Sequence, residues 1–193
     1  MKKIFTLAVL TLFGALSMQA QNITINKTDG SKITVSAAEI QSIEFTPATV
    51  ETIAGKYKGN NSLMVGGVMG PYVANGVTYT VEQNQDGSIN LTSSVEQYLG
   101  TDMGDLTLGS YTIKNIVYNE TSKNYKRDYG KDGVTVHFKS VANGQVGFDA
   151  DYTFNEGSNV TVTKESDGTL RIVNSFMMGR MPFGITGTFS GKK

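Results

Sequence analysis

Few side chains in this 193-residue chain are equipped to do chemistry. His137 is the single histidine and there is no cysteine, so a histidine–cysteine metal site is excluded and a catalytic triad would have to turn on this one ring. His137 falls between Val136 and Phe138 on the polar side of an alternating run, which predicts a surface residue rather than a general base. Asp149 and Asp151 share a face and would suit paired acid–base carboxylates or a calcium site. Alternation sets them opposite Phe148, Ala150 and Tyr152, the expected core side, so a solvated strand face is the better reading. Asp102 and Asp105 flank Met103-Gly104 in an expected loop, and two carboxylates are too few for a calcium cage. The patterns Gly-x-Ser-x-Gly, Gly-x-Gly-x-x-Gly and the phosphate loop are missing. The chain is therefore expected to be no enzyme, to use no cofactor and to hold no metal.

Two apolar, glycine-rich segments carry more information, Leu63 to Tyr72 and Phe176 to Phe183. Beyond residue 20, every methionine except Met103 lies in them. Loops normally expose polar groups, whereas methionine is flexible and polarizable and suits adaptable apolar contact. Met64, Val68, Met69, Tyr72, Met177, Met178, Met181 and Phe183 are thus the candidate ligand-binding residues, set in two loops at a barrel mouth. Two other readings stay open: the segments cap the barrel and bury themselves, or they form a patch for a protein partner.

The elements that must position these residues read as strands. Val77, Tyr79 and Val81 alternate with Thr78, Thr80 and Glu82, and Ile89, Leu91 and Val95 continue the run. Val134, Val136 and Phe138 repeat the pattern, as do Val146 to Phe154, Val160 and Val162, Leu170 to Phe176, and Phe183 to Phe189. Turn pairs separate the runs: Asn75-Gly76, Asp86-Gly87, Asp132-Gly133, Asn143-Gly144 and Asp167-Gly168. Around Asn115 the apolar face changes between Ile113 and Ile116, as a bulge requires. Gly55-Lys56-Tyr57-Lys58-Gly59 and Gly187-Thr188-Phe189-Ser190-Gly191 share a small-x-aromatic-x-small pattern, which suggests a sheet whose first and last strands meet. Short hairpins favour a meander, and closure into a barrel removes its edges; composition does not exclude a sandwich.

Residues 1–20 have a basic start at Lys2 and Lys3, an apolar stretch from Ile4 to Ala15, and Ala20 before Gln21. This is the pattern of a cleaved secretory signal, and the run is too short to span a bilayer as a helix. Residues 21–50 suggest a small hairpin through Ile23, Ile25, Ile33 and Val35, a capping box at Ser36-Ala37-Ala38-Glu39 with a short helical turn, and a strand at Ile43 and Phe45. Residues 51–193 form the main domain. The 17 basic and 17 acidic side chains balance, and loss of Lys2 and Lys3 tips the chain slightly acidic, which argues against nucleic acid as a partner. Without cysteine, an exported domain must be held by its core alone.

From about Thr52 to Lys193 the chain resembles the calycin-like, or lipocalin-like, β-barrel domains of secreted proteins of Gram-negative bacteria. The resemblance rests on the Gly55 to Gly59 start, the Leu108-Gly109-Ser110-Tyr111-Thr112-Ile113 segment and the Gly187 to Gly191 close. It implies an all-β fold, an antiparallel up-and-down barrel of about eight strands, and a small apolar or lipid-like molecule held in the barrel. Tyr57 stands where lipocalins place a tryptophan, and Arg171 or Arg180 would supply the arginine that packs against it.

Three functions compete. The chain is an exported, non-enzymatic binder of an apolar or amphipathic molecule in the periplasm or at the cell surface; or a filled-barrel interaction module of the cell envelope; or an outer-membrane barrel. Against the last, the runs look six or seven residues long where a spanning strand needs about 9–11.

Overall fold

The computed structural model describes residues 22–26, 30–37 and 52–193. The chain divides into two units, Met1–Val50 and Glu51–Lys193. In the first, β1 (Asn22–Asn26) and β2 (Lys32–Ser36) pair antiparallel, Ile23 opposite Val35 and Ile25 opposite Ile33. The expected signal segment, the short helical turn and the strand at Ile43 and Phe45 lie outside the described residues.

The second unit contains β3 (Gly55–Val65), β4 (Met69–Gln83), β5 (Ile89–Ser93), β6 (Glu96–Thr101), β7 (Gly104–Leu108), β8 (Thr112–Asn119), β9 (Asn124–Asp128), β10 (Thr135–Ala142), β11 (Gln145–Thr153), β12 (Asn159–Lys164), β13 (Leu170–Phe176) and β14 (Ile185–Lys192). No α-helix occurs among the described residues. Eight strands close a barrel in the order β3-β4-β5-β8-β9-β12-β13-β14, with β14 returning to β3, and every pairing is antiparallel. This is the up-and-down barrel of about eight strands that the calycin-like resemblance implied.

The remaining strands form a four-stranded sheet, β6-β7-β10-β11. They are continuations of barrel strands. Ser93 N donates to Tyr111 O (3.0 Å) just before Glu96 pairs with Leu108, so β5–β6 and β7–β8 form one long hairpin broken in the middle. Tyr129 N donates to Ser158 O (2.9 Å) and Phe154 N to Val134 O (2.9 Å), which joins β9–β10 to β11–β12 in the same way. Four of the eight strands thus run past the barrel ladder as a wall extension. Tyr98, Leu106, Leu108, Val136 and Phe138, on the inner face of that extension, belong to the same buried cluster as the barrel interior.

The seam between first and last strands explains the repeated end motif. Gly59 pairs with Gly191. A Cβ on Gly59 would run into the carbonyl oxygen of Ser190, and one on Gly191 into the Lys58 backbone and the Phe189 ring. The glycines let the strands approach, while Tyr57 and Phe189, 0% and 1% exposed, fill the space within. Neither arginine proposed as a partner for Tyr57 packs there, since Arg171 and Arg180 are both exposed. The cation over the Tyr57 ring is Lys193, whose Nζ stands 5.4 Å from the ring centroid. The bulge at Asn115 is present: its φ is 55°, and the register slips so that Ile89 faces Ile116 while Leu91 faces Ile113.

One expectation is corrected. The strands are not uniformly short, because β3 has 11 residues and β4 has 15; length does not argue against a membrane barrel. Face polarity does. Outward positions on β3, β5, β12 and β14 are Lys56, Lys58, Asn60, Ser62, Asn90, Thr92, Thr161, Thr163, Thr186, Thr188 and Ser190, while the apolar set points inward. A lipid-facing wall requires the reverse.

Candidate functional site

The two methionine-rich segments meet at one end of the barrel. Only Gly66 to Val68 turn between β3 and β4, so the first segment is the tip of a long hairpin rather than a loop. Gly66, at φ +60°, donates its N–H to Gly184 O (2.8 Å), and the Phe183 ring lies against it. The second segment runs from the end of β13 to the start of β14, held by an isolated bridge between Met178 and Phe154. Asn155 fastens it further, its N donating to Met177 O (2.7 Å) and its Nδ2 to Gly179 O (2.6 Å). On the opposite side, Tyr72 Oη donates to Asp102 Oδ2 (2.7 Å), linking the hairpin tip to the turn after β6.

The eight candidate residues do not share one environment. Val68 and Phe183 are exposed, at 82% and 53%. Met64 and Met177 are half-buried, and Met69, Tyr72 and Met181 are half-buried against the core. Met178 is fully buried, with 0% exposure. The segments therefore divide between cap and rim. Met178→Asp is expected to unfold the barrel, because it puts an unpaired charge in the core, whereas Phe183→Asp keeps the fold. Circular dichroism and thermal melting of the two variants distinguish them, and equal melting temperatures would sink the division.

The edge strand β11 completes the rim. Phe148, Ala150 and Tyr152 share the inner face with Phe138, whose ring centroid is 6.2 Å from that of Phe148 and 6.0 Å from that of Tyr152. They face inward as alternation requires, yet Phe148 is 48% exposed and Val146 55%. The expectation that this run is core is thus corrected. As the edge of the extension, β11 has no strand beyond it to close over that face.

Beneath the rim lies a buried polar network that the sequence reading missed. Glu96, 1% exposed, accepts hydrogen bonds from Asn61 Nδ2 (2.8 Å), Tyr79 Oη (2.8 Å) and Tyr98 Oη. The Tyr79 and Tyr111 hydroxyls are 3.3 Å apart; Asn174 Nδ2 donates to Tyr111 Oη (3.0 Å), and Tyr129 Oη to Asn174 Oδ1 (2.6 Å). Burial pushes the Glu96 carboxyl above its usual range, against the lowering effect of its three donors. The hydroxyls of Tyr79, Tyr98, Tyr111 and Tyr129 are all pushed up, chiefly by burial, and so stay protonated as donors. Asn61 Oδ1 is buried and has no partner. The signal for this network was a slip in phase: the inward series Ile89, Leu91, Ser93 resumes at Glu96 and Tyr98, so Val95 turns out, 54% exposed. Tandem Ser93-Ser94 marks the slip.

His137 lies on the outer face of β10. Its Nδ1 is 2.8 Å from Asp151 Oδ1 and its Nε2 2.8 Å from Asp149 Oδ1, while Lys139 Nζ is 2.8 Å from Asp149 Oδ2. Register makes this cluster, since His137 pairs with Asp151 and Lys139 with Asp149. The hydrogen bonds to Asp151 and then to Asp149 raise the histidine above its ordinary 6.5. The stabilisation is complete below pH 6.5 and is lost as pH rises through the higher folded-state midpoint. The single histidine gives one ring signal to follow by NMR. Its midpoint is expected above 6.5, and to fall back in Asp149→Asn/Asp151→Asn; an unshifted wild-type midpoint would refute the bridge. An outer-surface groove lined by Asp128, Gly130, Lys131, Glu156 and Gly157 lies elsewhere. Its opposed charges are already paired, Lys131 Nζ being 2.7 Å from Glu156 Oε1.

Residues 53–192 match the family model described as "Calycin-like beta-barrel domain". No curated protein matches the chain. A crystal structure at 2.40 Å of a "putative outer membrane protein" from Bacteroides fragilis is 16% identical, with 73% of this chain and 98% of that one covered and a TM-score of 0.20.

Proposed function

The chain belongs to the calycin-like β-barrel domain family, and on that premise we propose that it is an exported, non-enzymatic binding protein that takes up a small amphipathic, lipid-like molecule through the rim described above. The observation that carries this reading is the rim itself. Apolar side chains from three separate segments, among them Val68, Phe148 and Phe183, stay exposed around the end of a closed barrel. Met69, Tyr72 and Met181 are half-buried against the core, and methionine adapts to guests of varied shape. Export to the periplasm or cell surface is supported by the signal-like pattern in residues 1–20. The polar outer face supports a barrel that does not span the membrane. The absence of catalysis is supported by His137, both of whose ring nitrogens are engaged with carboxylates on the outer face.

A filled-barrel interaction module is the second reading, favoured by how much of the interior is aromatic. Tyr57, Tyr79, Phe154, Phe189 and Tyr129 are among the largest fully buried side chains, and an eight-stranded barrel is just wide enough for side chains to fill or for one small ligand. Native mass spectrometry of the protein purified from its own host separates the two. The binding reading expects a retained small molecule, with the affinity for added dodecanol reduced about tenfold in Phe183→Asp. A protein that comes out empty and takes up no dodecyl amphiphile is the interaction module instead.

A further inference from the structure

The inner face of the four-stranded extension carries one cross-strand row from the rim to the buried network. Glu96 on β6 pairs with Leu108 on β7, Leu108 with Phe138 on β10, and Phe138 with Ala150 on β11. Alternation puts all four on the same side. Ala150 is exposed at the rim, Leu108 and Phe138 are each 2% exposed, and Glu96 is 1% exposed. The row spans three interstrand steps, about 14 Å, which is close to the length of an extended dodecyl chain. Over the core it borders pack Met69, Tyr72 and Met181, half-buried side chains that can yield to an apolar guest.

At the inner end of the row the chemistry is one-sided. Glu96 is a buried carboxylate, and the groups that bear on its charge are tyrosines and one asparagine, with no lysine, arginine or histidine among them. A buried carboxylate without a cation is costly. Beside it, Asn61 is 3% exposed and its Oδ1, also an acceptor, has no donor. The Asn61 Nδ2 that binds Glu96 is 2.8 Å from the carboxylate, so both acceptors lie within one side chain's reach. The hydroxyls of Tyr79 on β4 and Tyr98 on β6 donate to the carboxylate, and that of Tyr111, just before β8, lies 3.3 Å from the Tyr79 hydroxyl. A carboxylate with no cation beside it, next to an amide oxygen with no donor, suits a group that both donates hydrogen bonds and carries positive charge.

We propose that Glu96 and Asn61 hold the primary ammonium head group of a single-chain amphiphile whose tail lies along Leu108, Phe138 and Ala150 to the rim. This deepens the binding function proposed above and rests on it. The ammonium donates to Asn61 Oδ1 and to Glu96 Oε1 beside the Tyr79 hydroxyl, while Asn61 Nδ2 and Tyr98 keep their bonds to Oε2. A carboxylate head group is refused at the same place by repulsion from Glu96, and a neutral hydroxyl is accepted with only one donor and no charge.

The test is isothermal titration of the full chain with dodecylammonium, dodecanol and dodecanoate at neutral pH and low salt. Dodecylammonium is expected to bind at least about tenfold more tightly than dodecanol, because a charge-assisted bond is worth more than a neutral one, with dodecanoate weakest. In Glu96→Gln the advantage of the amine over the alcohol is expected to shrink to about threefold or less. Ala150→Asp, at an exposed rim position, is expected to weaken both. Dodecanoate binding as tightly as dodecylammonium, equal binding of all three, or an amine advantage unchanged in Glu96→Gln would each overturn the head-group assignment while leaving amphiphile binding intact. Failure of all three to bind would overturn both. If Glu96→Gln does not fold, the head-group order on the unaltered chain decides by itself.

Discussion

Phe189→Ala lowers the stability of the barrel by about 3–5 kcal/mol, and its thermal midpoint by roughly 10 °C. Phe189 is 1% exposed on β14, its Cα partners being Asn61 on β3 and Ile172 on β13. Its ring centroid stands 4.7 Å from that of Tyr79 at an interplanar angle of 54°, a favourable tilted contact. The ring also occupies the space that Gly191 leaves by having no Cβ. Truncation removes the buried ring and leaves a cavity that closed hydrogen-bond ladders on both sides prevent from collapsing. Urea denaturation of the two proteins measures the effect. A loss under about 1 kcal/mol would show that neighbouring side chains refill the space and that the seam does not depend on the ring.

Glu96→Ala is expected to cost about 2–4 kcal/mol, because Asn61 Nδ2 and the hydroxyls of Tyr79 and Tyr98 are left inside without their acceptor. The desolvation relieved by removing the carboxylate offsets part of that cost. Glu96→Gln, which keeps an acceptor oxygen, should lose much less. The same residue predicts a slope with pH. Burial raises the folded-state value of Glu96 above 4.5, so between the unfolded value and that raised value the folded chain holds the extra proton. Its contribution to stability is therefore greatest below about pH 4.5 and declines as pH rises through the folded-state value. Denaturation midpoints from pH 4 to 8 should show this decline in the unaltered chain relative to Glu96→Gln. A difference between the two that grows in the opposite direction would mean that the hydrogen bonds outweigh burial and that the carboxylate is ionised throughout.

The proposals at the rim and at Glu96 depend on each other through geometry alone. The rim offers exposed apolar surface, and the network offers buried acceptors with no surface. The cross-strand row through Leu108 and Phe138 joins them. An amphiphile is the ligand class that uses both ends, which is why head-group preference is the informative measurement.

The amino-acid sequence by itself determined the all-β class and suggested closure, while leaving a sandwich open. Period-two alternation, Asp-Gly and Asn-Gly turns, and paired glycine–aromatic motifs at the two ends are local or nearly local signals, and each is a direct consequence of strand pleat, turn stereochemistry and the close approach of β3 to β14. The bulge at Asn115 was legible for the same reason, as a change of face within one strand. What only the tertiary structure decided is where phase is lost and what then faces inward. The slip at Ser94 and Val95 inverts every later residue of that strand and turns Glu96 inward; one residue of slip reverses inside and outside. It also decided that Phe148 and Ala150, inward by alternation, are left uncovered at an edge, and that Met178 is core while Phe183 is rim. Burial depends on which distant strand lies opposite, and alternation within one strand carries no record of that.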